Sequence, residues 1–527
     1  MNVTTPASSA GDRRAATLFM ACLGVFVAYL PITTVAVSLP AIQEALGATT
    51  SQLAWVQDAF VLPMAAFILT AGVFGDVHGR KKVFQAGLLF SALGAAIALS
   101  AQSVQVLWLG QAFAGLGAAT LLPTTLALIS HAVPDVRERG KYIGLWAMSL
   151  LAALTVGPLI AGPVIDHTAW RWIYVLPIPV SLITMVVAAR LLADSRAAHG
   201  RTLDWPGQLT AMVAVTALVY GVIEGGAASF TETRVVLALA VAVLGGIGFV
   251  LAERRSDSPM LDLTLFRSPG FTAATLVAMI TFLALIGFFF LLSLYFGMVQ
   301  RLDTLDAGVR LLLVSAAALV VGGPAGRLMH RISPRAMITS GLLVVSAALF
   351  SLLTLDVDTS FGSVAWRLIV LGLGMGCVIT PMTATAVSAV PYPLASMAAA
   401  GNNAFRQVGG ALGPAVLGAL LTTRALDSFP ERLADAGVTG EAGRRAVAAA
   451  HDGGLGAVAG ADLGAATGPA MGAVGEAFLD GMRLCLTVAG TLTLVAALVA
   501  FLLLRTPVRR TQQPAPTAEP VPTEVPG

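Results

Sequence analysis

Charge is what this chain has least of. Only 11% of its 527 residues are Asp, Glu, Lys or Arg, against 57% hydrophobic residues and a mean hydropathy of +0.84. A soluble domain keeps about a quarter of its residues charged, so a water-soluble globular fold is excluded. The net charge of +3 is too small to point to nucleic acid. Cysteine is scarce too: Cys22, Cys377 and Cys485 lie far apart in apolar runs, which rules out a disulfide framework or a zinc site. No G-x-x-x-x-G-K-[ST] loop is present, which argues against ATP as the energy source. No cluster of catalytic residues stands out, so an enzyme is not expected, nor is any cofactor or metal.

What the chain has in abundance is long apolar runs, and about 20 apolar residues cross the hydrocarbon of a bilayer. Such runs fall at 17–40, 52–74, 83–101, 106–130, 142–165, 172–193, 207–225, 233–252, 270–298, 306–325, 336–354, 364–384, 398–423 and 480–505. The first follows the polar opening "MNVTTPASSAGDRR" with no small-residue cleavage site, so it reads as a retained span. Fourteen spans leave both termini on one side. Arg13, Arg14, Arg80, Lys81, Lys82, Arg137, Arg139, Lys141, Arg254, Arg255, Arg327, Arg331, Arg335, Arg509 and Arg510 then share that side, which the positive-inside rule makes cytoplasmic.

The chain also repeats itself. "GVFGDVHGRKK" follows the second span, and a weaker "GRLMHRISPRA" at 326–336 follows the tenth, with His330 opposite Asp76 and Arg335 opposite Lys81. Half a chain separates them, as parallel six-span repeats require. The expected organisation is a cytoplasmic segment 1–16, a six-helix bundle 17–203, two extra helices within 204–252, and a second six-helix bundle 253–505. The Gly- and Ala-rich stretch 424–479 reads as a long, unstructured external loop, and the Pro-rich tail 506–527 as a disordered cytoplasmic end.

In the first copy, Gly72 and Gly75 permit a close helix approach and Gly79 a tight turn. Asp76 can cap a helix or pair with an Arg across an interface, and Arg80, Lys81 and Lys82 sit at the inner leaflet. In "GLWAMSLLAALTVGPLIAG", the small residues Ala153, Gly157 and Ala161 recur at i, i+4 and i+8, so another helix can pack backbone to backbone. Pro158 adds a kink.

These stretches resemble the major facilitator superfamily, and within it the fourteen-helix drug:proton antiporter branch. Gly72, Gly75, Asp76, Gly79, Arg80 and Lys81 match the superfamily's signature loop, and Gly144, Ala153, Gly157, Pro158, Ala161 and Gly162 the antiporter motif of helix five. "AWRWIYVLPIPV", "DWPG" and "RQVGGALG" resemble the starts of helices six and seven and the thirteenth helix. The resemblance implies an all-α integral membrane protein of fourteen helices that works as a monomer among membrane lipids. It also implies secondary export of drugs, antiseptics or amphipathic metabolites in exchange for protons. The chain departs from the family in two places. Helix one reads "LPITTVAVSLP", with Pro31 in place of the family's acid and Ala36 in place of its amide, and helix four carries Gln111 where the family has Arg.

Other titratable groups must then carry any proton. Asp58, Glu224 and Asp306 are the candidates, each expected near the outer interface within reach of water. Asp306 and Arg310 are spaced to pair on one helix face. Gln111, Arg310 and Arg406 are candidate polar cavity or gate residues, with Arg406 expected at helix ends or headgroups. Aromatic residues of span nine and Met64, Met148, Met279, Met375 and Met382 supply an apolar, adaptable surface. The sparse charge favours a bulky amphipathic or neutral substrate. A lipid or lipid-conjugate translocase on the same fold is the alternative.

Overall fold

The computed structural model describes residues 10–133, 136–192, 204–329, 331–391 and 394–504; the expected tail 506–527 and His330 lie outside them. The described residues form fifteen α-helices: α1 (Ala10–Leu46), α2 (Thr50–His78), α3 (Arg80–Leu99), α4 (Val104–Ala132), α5 (Val136–His167), α6 (Pro177–Leu191), α7 (Trp205–Ala227), α8 (Thr233–Arg255), α9 (Pro269–Leu294), α10 (Thr304–Leu328), α11 (Pro334–Ser351), α12 (Phe361–Ser388), α13 (Ala395–Asp435), α14 (Gly440–Gly453) and α15 (Thr467–Leu503). No strand occurs among the described residues. Among the described residues, thirteen helical segments are long and apolar enough to cross a membrane, and α2 is a further helix of 29 residues. This is the all-helical, multi-pass membrane architecture expected from the hydropathy.

Short polar residues set the helix starts. Thr49 and Gln52 form a reciprocal capping box at α2, and the side chains of Ser103, Asp204, Ser268 and Ser333 cap α4, α7, α9 and α11. Each satisfies a backbone N–H that a helix end leaves free.

Helices α1–α6 pack on one another and are termed the first bundle. Helix α3 lies close against α4, where a methyl group at Gly94 would lie 2.6 Å from the Gly110 carbonyl oxygen. Helices α9–α13 and α15 likewise pack on one another and are termed the second bundle. Here Gly413 faces Gly287, and a methyl at Gly413 would lie 2.6 Å from the Gly287 nitrogen. In a bilayer, where apolar burial does not favour one helix neighbour over lipid, such backbone approaches supply the packing. Helices α7 and α8 pack on each other, and α7 also meets α13 and α2. Gly226 of α7 abuts Ala419 of α13, and Gln208 Nε2 donates to the Ala66 carbonyl of α2 at 2.8 Å.

The stretch 424–479 is not an unstructured loop. Helix α13 runs on to Asp435, α14 follows, and α15 begins at Thr467 instead of 480. Arg432 holds the extension against α15 through paired bonds to Asp480 (2.9 and 3.1 Å), which also accepts from Arg483 at 3.1 Å. Ala446 and Ala450 bury the inner face of α14, followed by buried Leu455 and Val458. Alanine favours helix strongly, so an Ala-rich segment too polar to span a membrane still folds on top of it.

The bundles meet along two seams, α2 with α13 and α5 with α10, and α1 touches α9. Most of the named contacts lie in the half away from the chain termini: Ala54 near Gly418, Val61 against Gly410, Leu305 against Gly162 and Pro40 against Gly297. The Ser293 hydroxyl donates to the Ala36 carbonyl at the same level. The α5–α10 seam continues towards the termini, where the Met148 sulfur faces Gly323.

Candidate functional site

The turn between α2 and α3 is built on Gly79, which adopts φ 109° and ψ 124°, open to glycine and strained for other residues. Gly72 packs near Pro123 and Gly75 near Thr124 of α4, so the end of α2 lies close against its neighbour. Arg80 stands beside Gly75. Lys81 Nζ donates to the Ala189 carbonyl in the last turn of α6, 2.6 Å away, where a cation suits the helix dipole. Lys81 therefore ties α3 to α6 as well as marking the membrane face. Asp76 lies on α2, and its side chain lies outside the described residues.

Helix α5 presents two faces. Ala153, Gly157 and Ala161 turn inward, and a methyl at Gly157 would meet the Thr33 hydroxyl and the Thr34 nitrogen of α1. Pro158 and Gly162 turn to the other bundle: the Pro158 carbonyl faces Gly308, and Leu305 leaves no room for a side chain at 162. Gly144 is different, for a methyl there would meet nothing within 4 Å, so close packing does not require glycine at that position.

The two departures in helices one and four come together. Pro31 and Gln111 line one small cavity with Val27, Leu30, Thr34 and Tyr174, about 30 Å³ in volume. The α1 and α4 residues that line this cavity thus include an amide and no ionisable side chain.

Asp58 is the one proton candidate that burial favours, and its place differs from the expected water-accessible interface. Its side chain is fully buried, and neither carboxyl oxygen has a hydrogen-bond partner. It lies between Ala54 and Val61 on the stripe of α2 that faces α13, so the second bundle covers it. An ionised carboxylate there would stand without any compensating bond, whereas a protonated one costs far less. Beside it Gln57 is also buried without partners.

The other candidates are accounted for locally. Glu224 pairs with Arg234 at 3.7 Å across the α7–α8 turn. Asp306 is exposed at the start of α10, where its backbone N–H bonds to the Asp303 carboxylate at 2.7 Å. The expected Asp306–Arg310 pair is not formed. Arg310 donates to the Gln300 side-chain oxygen and lies over the rings of Phe296 and Phe361 (5.4 and 5.2 Å), which hold it away from the acid.

Arg406 is not at a helix end or among headgroups. It is 1% exposed, eleven residues into α13. Its Nη2 donates to the Tyr29 hydroxyl of α1 at 2.7 Å, and Gln407 Nε2 donates to the same oxygen at 3.0 Å. The guanidinium lies over the Phe282 ring at 4.9 Å. Sequence reasoning missed Tyr29, Asn402, Asn403 and Gln407, which form a buried polar band with Arg406. The signal was the run "NNAFRQ", four polar residues within six inside a membrane helix. The aromatic run of α9 faces protein: Phe282, Phe288, Phe289 and Phe290 are all buried.

With this geometry in view, sequence comparison decides the family. The Major Facilitator Superfamily profile matches residues 21–414. The chain belongs to the Major Facilitator Superfamily. It is 33% identical to the tetracenomycin C resistance and export protein of Streptomyces glaucescens, over 99% of this chain and 97% of that one. It is 29% identical to the multidrug efflux pump LfrA of Mycolicibacterium smegmatis, over 94% and 97% of the two chains. A bacterial homologue of the human lysosomal transporter Spinster, solved in an inward-facing and occupied conformation, shares the fold with a TM-score of 0.59 at 16% identity, covering 94% of this chain and 97% of that one. The superfamily and its structural neighbours are transporters, so this chain is a membrane transporter and not an enzyme.

Proposed function

We propose that this chain is a secondary exporter of small amphipathic drugs or metabolites, driven by protons that Asp58 carries. In this reading α2 is the fourteenth span, both termini are cytoplasmic and the protein works as a monomer in the plasma membrane. The observation that carries it is Asp58 itself, a carboxyl group buried without partners in the seam between the two bundles. A group there is covered while the bundles close over it, and reaches water only when α2 and α13 part. Its protonation is thereby linked to which side of the membrane the cavity faces, the condition for exchanging a proton for a substrate. With Pro31 and Gln111 unable to take part, the first bundle has no other buried acid among the described residues.

The contacts around Pro40, Gly162 and Gly297 support a conformation closed on the external side, with substrate admitted from the cytoplasm. Pro158 and Gly162 give α5 a close but side-chain-poor contact with α10, suited to a seam that opens and closes. Reconstitution tests the function. Proteoliposomes with an imposed pH gradient should accumulate a fluorescent amphipathic drug faster than vesicles without a gradient, and no gradient effect would remove the proton from the scheme.

A further inference from the structure

Arg406 is a buried, permanent cation with no anion beside it among the described residues. A guanidinium stays charged in any protein setting, and burying an unpaired charge is costly. Its described partners are all neutral: the Tyr29 hydroxyl, the Phe282 ring and the Tyr29 ring. Its Nε has no partner at all, nor do the side-chain oxygens of Asn402 and Asn403, each at most 3% exposed. The Thr275 and Thr281 hydroxyls of α9 are likewise buried and unpartnered.

Asp58 does not serve as counter-ion here. Val61 packs at Gly410 and Ala54 near Gly418, so Asp58 lies level with about residue 414. At a rise of 1.5 Å per residue this leaves about 12 Å of axial separation from Arg406. The two side chains also lean towards opposite faces of the membrane, because each tilts towards the N-terminus of its own helix and the helices are antiparallel.

Both bonds from Arg406 and Gln407 to Tyr29 cross from the second bundle to the first. When the bundles separate, those bonds break, and a guanidinium fork and the Gln407 amide are left facing the gap. Such a fork matches a carboxylate in a bidentate fashion. The Phe282 ring beside it offers an aromatic face to a flat apolar body. Resting on the exporter reading, we propose that Arg406 recognises the anionic group of the substrate, so that this transporter prefers aromatic organic acids to neutral or cationic molecules of the same shape.

The test uses 2-naphthoate and 2-naphthamide, which share a shape and differ in charge, in equilibrium binding to the purified full-length protein. Wild type should bind the acid roughly 10- to 100-fold more tightly than the amide, the range expected of a hydrogen-bonded charge. Arg406→Gln should lose that margin while keeping its affinity for the amide, and Arg406→Lys should keep part of it. The wild-type preference stands as a measurement even if a variant fails to fold. Equal affinity for the two ligands in wild type, no binding of either, or an undiminished margin in Arg406→Gln overturns the proposal. Drug export is read separately, as flux in proteoliposomes, so its failure is distinguishable from failure of the anion preference.

Discussion

Gly162 should control the balance between conformations, because it sits where the bundles touch. A methyl group at this position would lie 2.8 Å from Leu305 Cα and 2.9 Å from Leu305 Cδ1. The first of these is backbone, which cannot turn aside as a side-chain tip can, so α5 and α10 must move apart. Overpacking of this kind costs about 1–3 kcal/mol. The contact joins two rigid bundles, so the cost falls chiefly on the state in which it is closed. A shift of about 1.4 kcal/mol changes the ratio of states tenfold, which is readily visible for a two-state transporter. Spin labels at Ala45 and Asp358, both exposed at the end away from the termini, read the separation by pulsed electron resonance once the three native cysteines are replaced. Gly162→Ala should shift population towards the longer distance. Gly144→Ala is the control on the same helix, since a methyl there meets nothing within 4 Å. A Gly162→Ala distance distribution that matches wild type would refute the reasoning.

Gly413→Val should destabilise the second bundle in every conformation, because a methyl there would lie 2.6 Å from the Gly287 nitrogen and 2.7 Å from the Leu283 carbonyl oxygen. A loss of about 1–3 kcal/mol is expected, read as a lower melting temperature in detergent. Glu224→Gln should leave gradient-driven flux unchanged and alter stability by less than about 1 kcal/mol, since its pairing with Arg234 is a partly exposed surface contact.

The parts of this fold that could be read from the chain are those in which a local pattern has a local cause. Apolar run lengths gave the all-helical, multi-pass architecture, and the small residues of "RQVGGALG" mark close approaches, Gly409 and Gly413 against α9 and Gly410 against α2. The helix-five stripe was legible for the same reason, although its two faces were not: nothing in the spacing says that Gly157 meets α1 while Gly162 meets α10. The stretch 424–479 was misread because hydropathy reports membrane crossing, and α14 is a helix that crosses nothing. The Arg432–Asp480 pair that ties the flanking helices α13 and α15 together joins residues 48 apart, which no local pattern shows. Burial of Asp58 and Arg406 was hidden for a related reason. Counting residues from a helix end gives depth in the membrane, but what covers a side chain is decided by another helix. Asp58 is covered by α13 and Arg406 by Tyr29, each more than 300 positions away along the chain.

Proton coupling through Asp58 is most directly tested by measuring two fluxes in one preparation. Proteoliposomes holding wild type or Asp58→Asn are assayed for substrate uptake driven by a pH gradient, and for exchange of labelled against unlabelled substrate without one. The amide keeps the shape of the side chain and cannot carry a proton. Asp58→Asn should retain exchange and lose the gradient-driven component. Gradient-driven flux in Asp58→Asn equal to wild type would contradict the account.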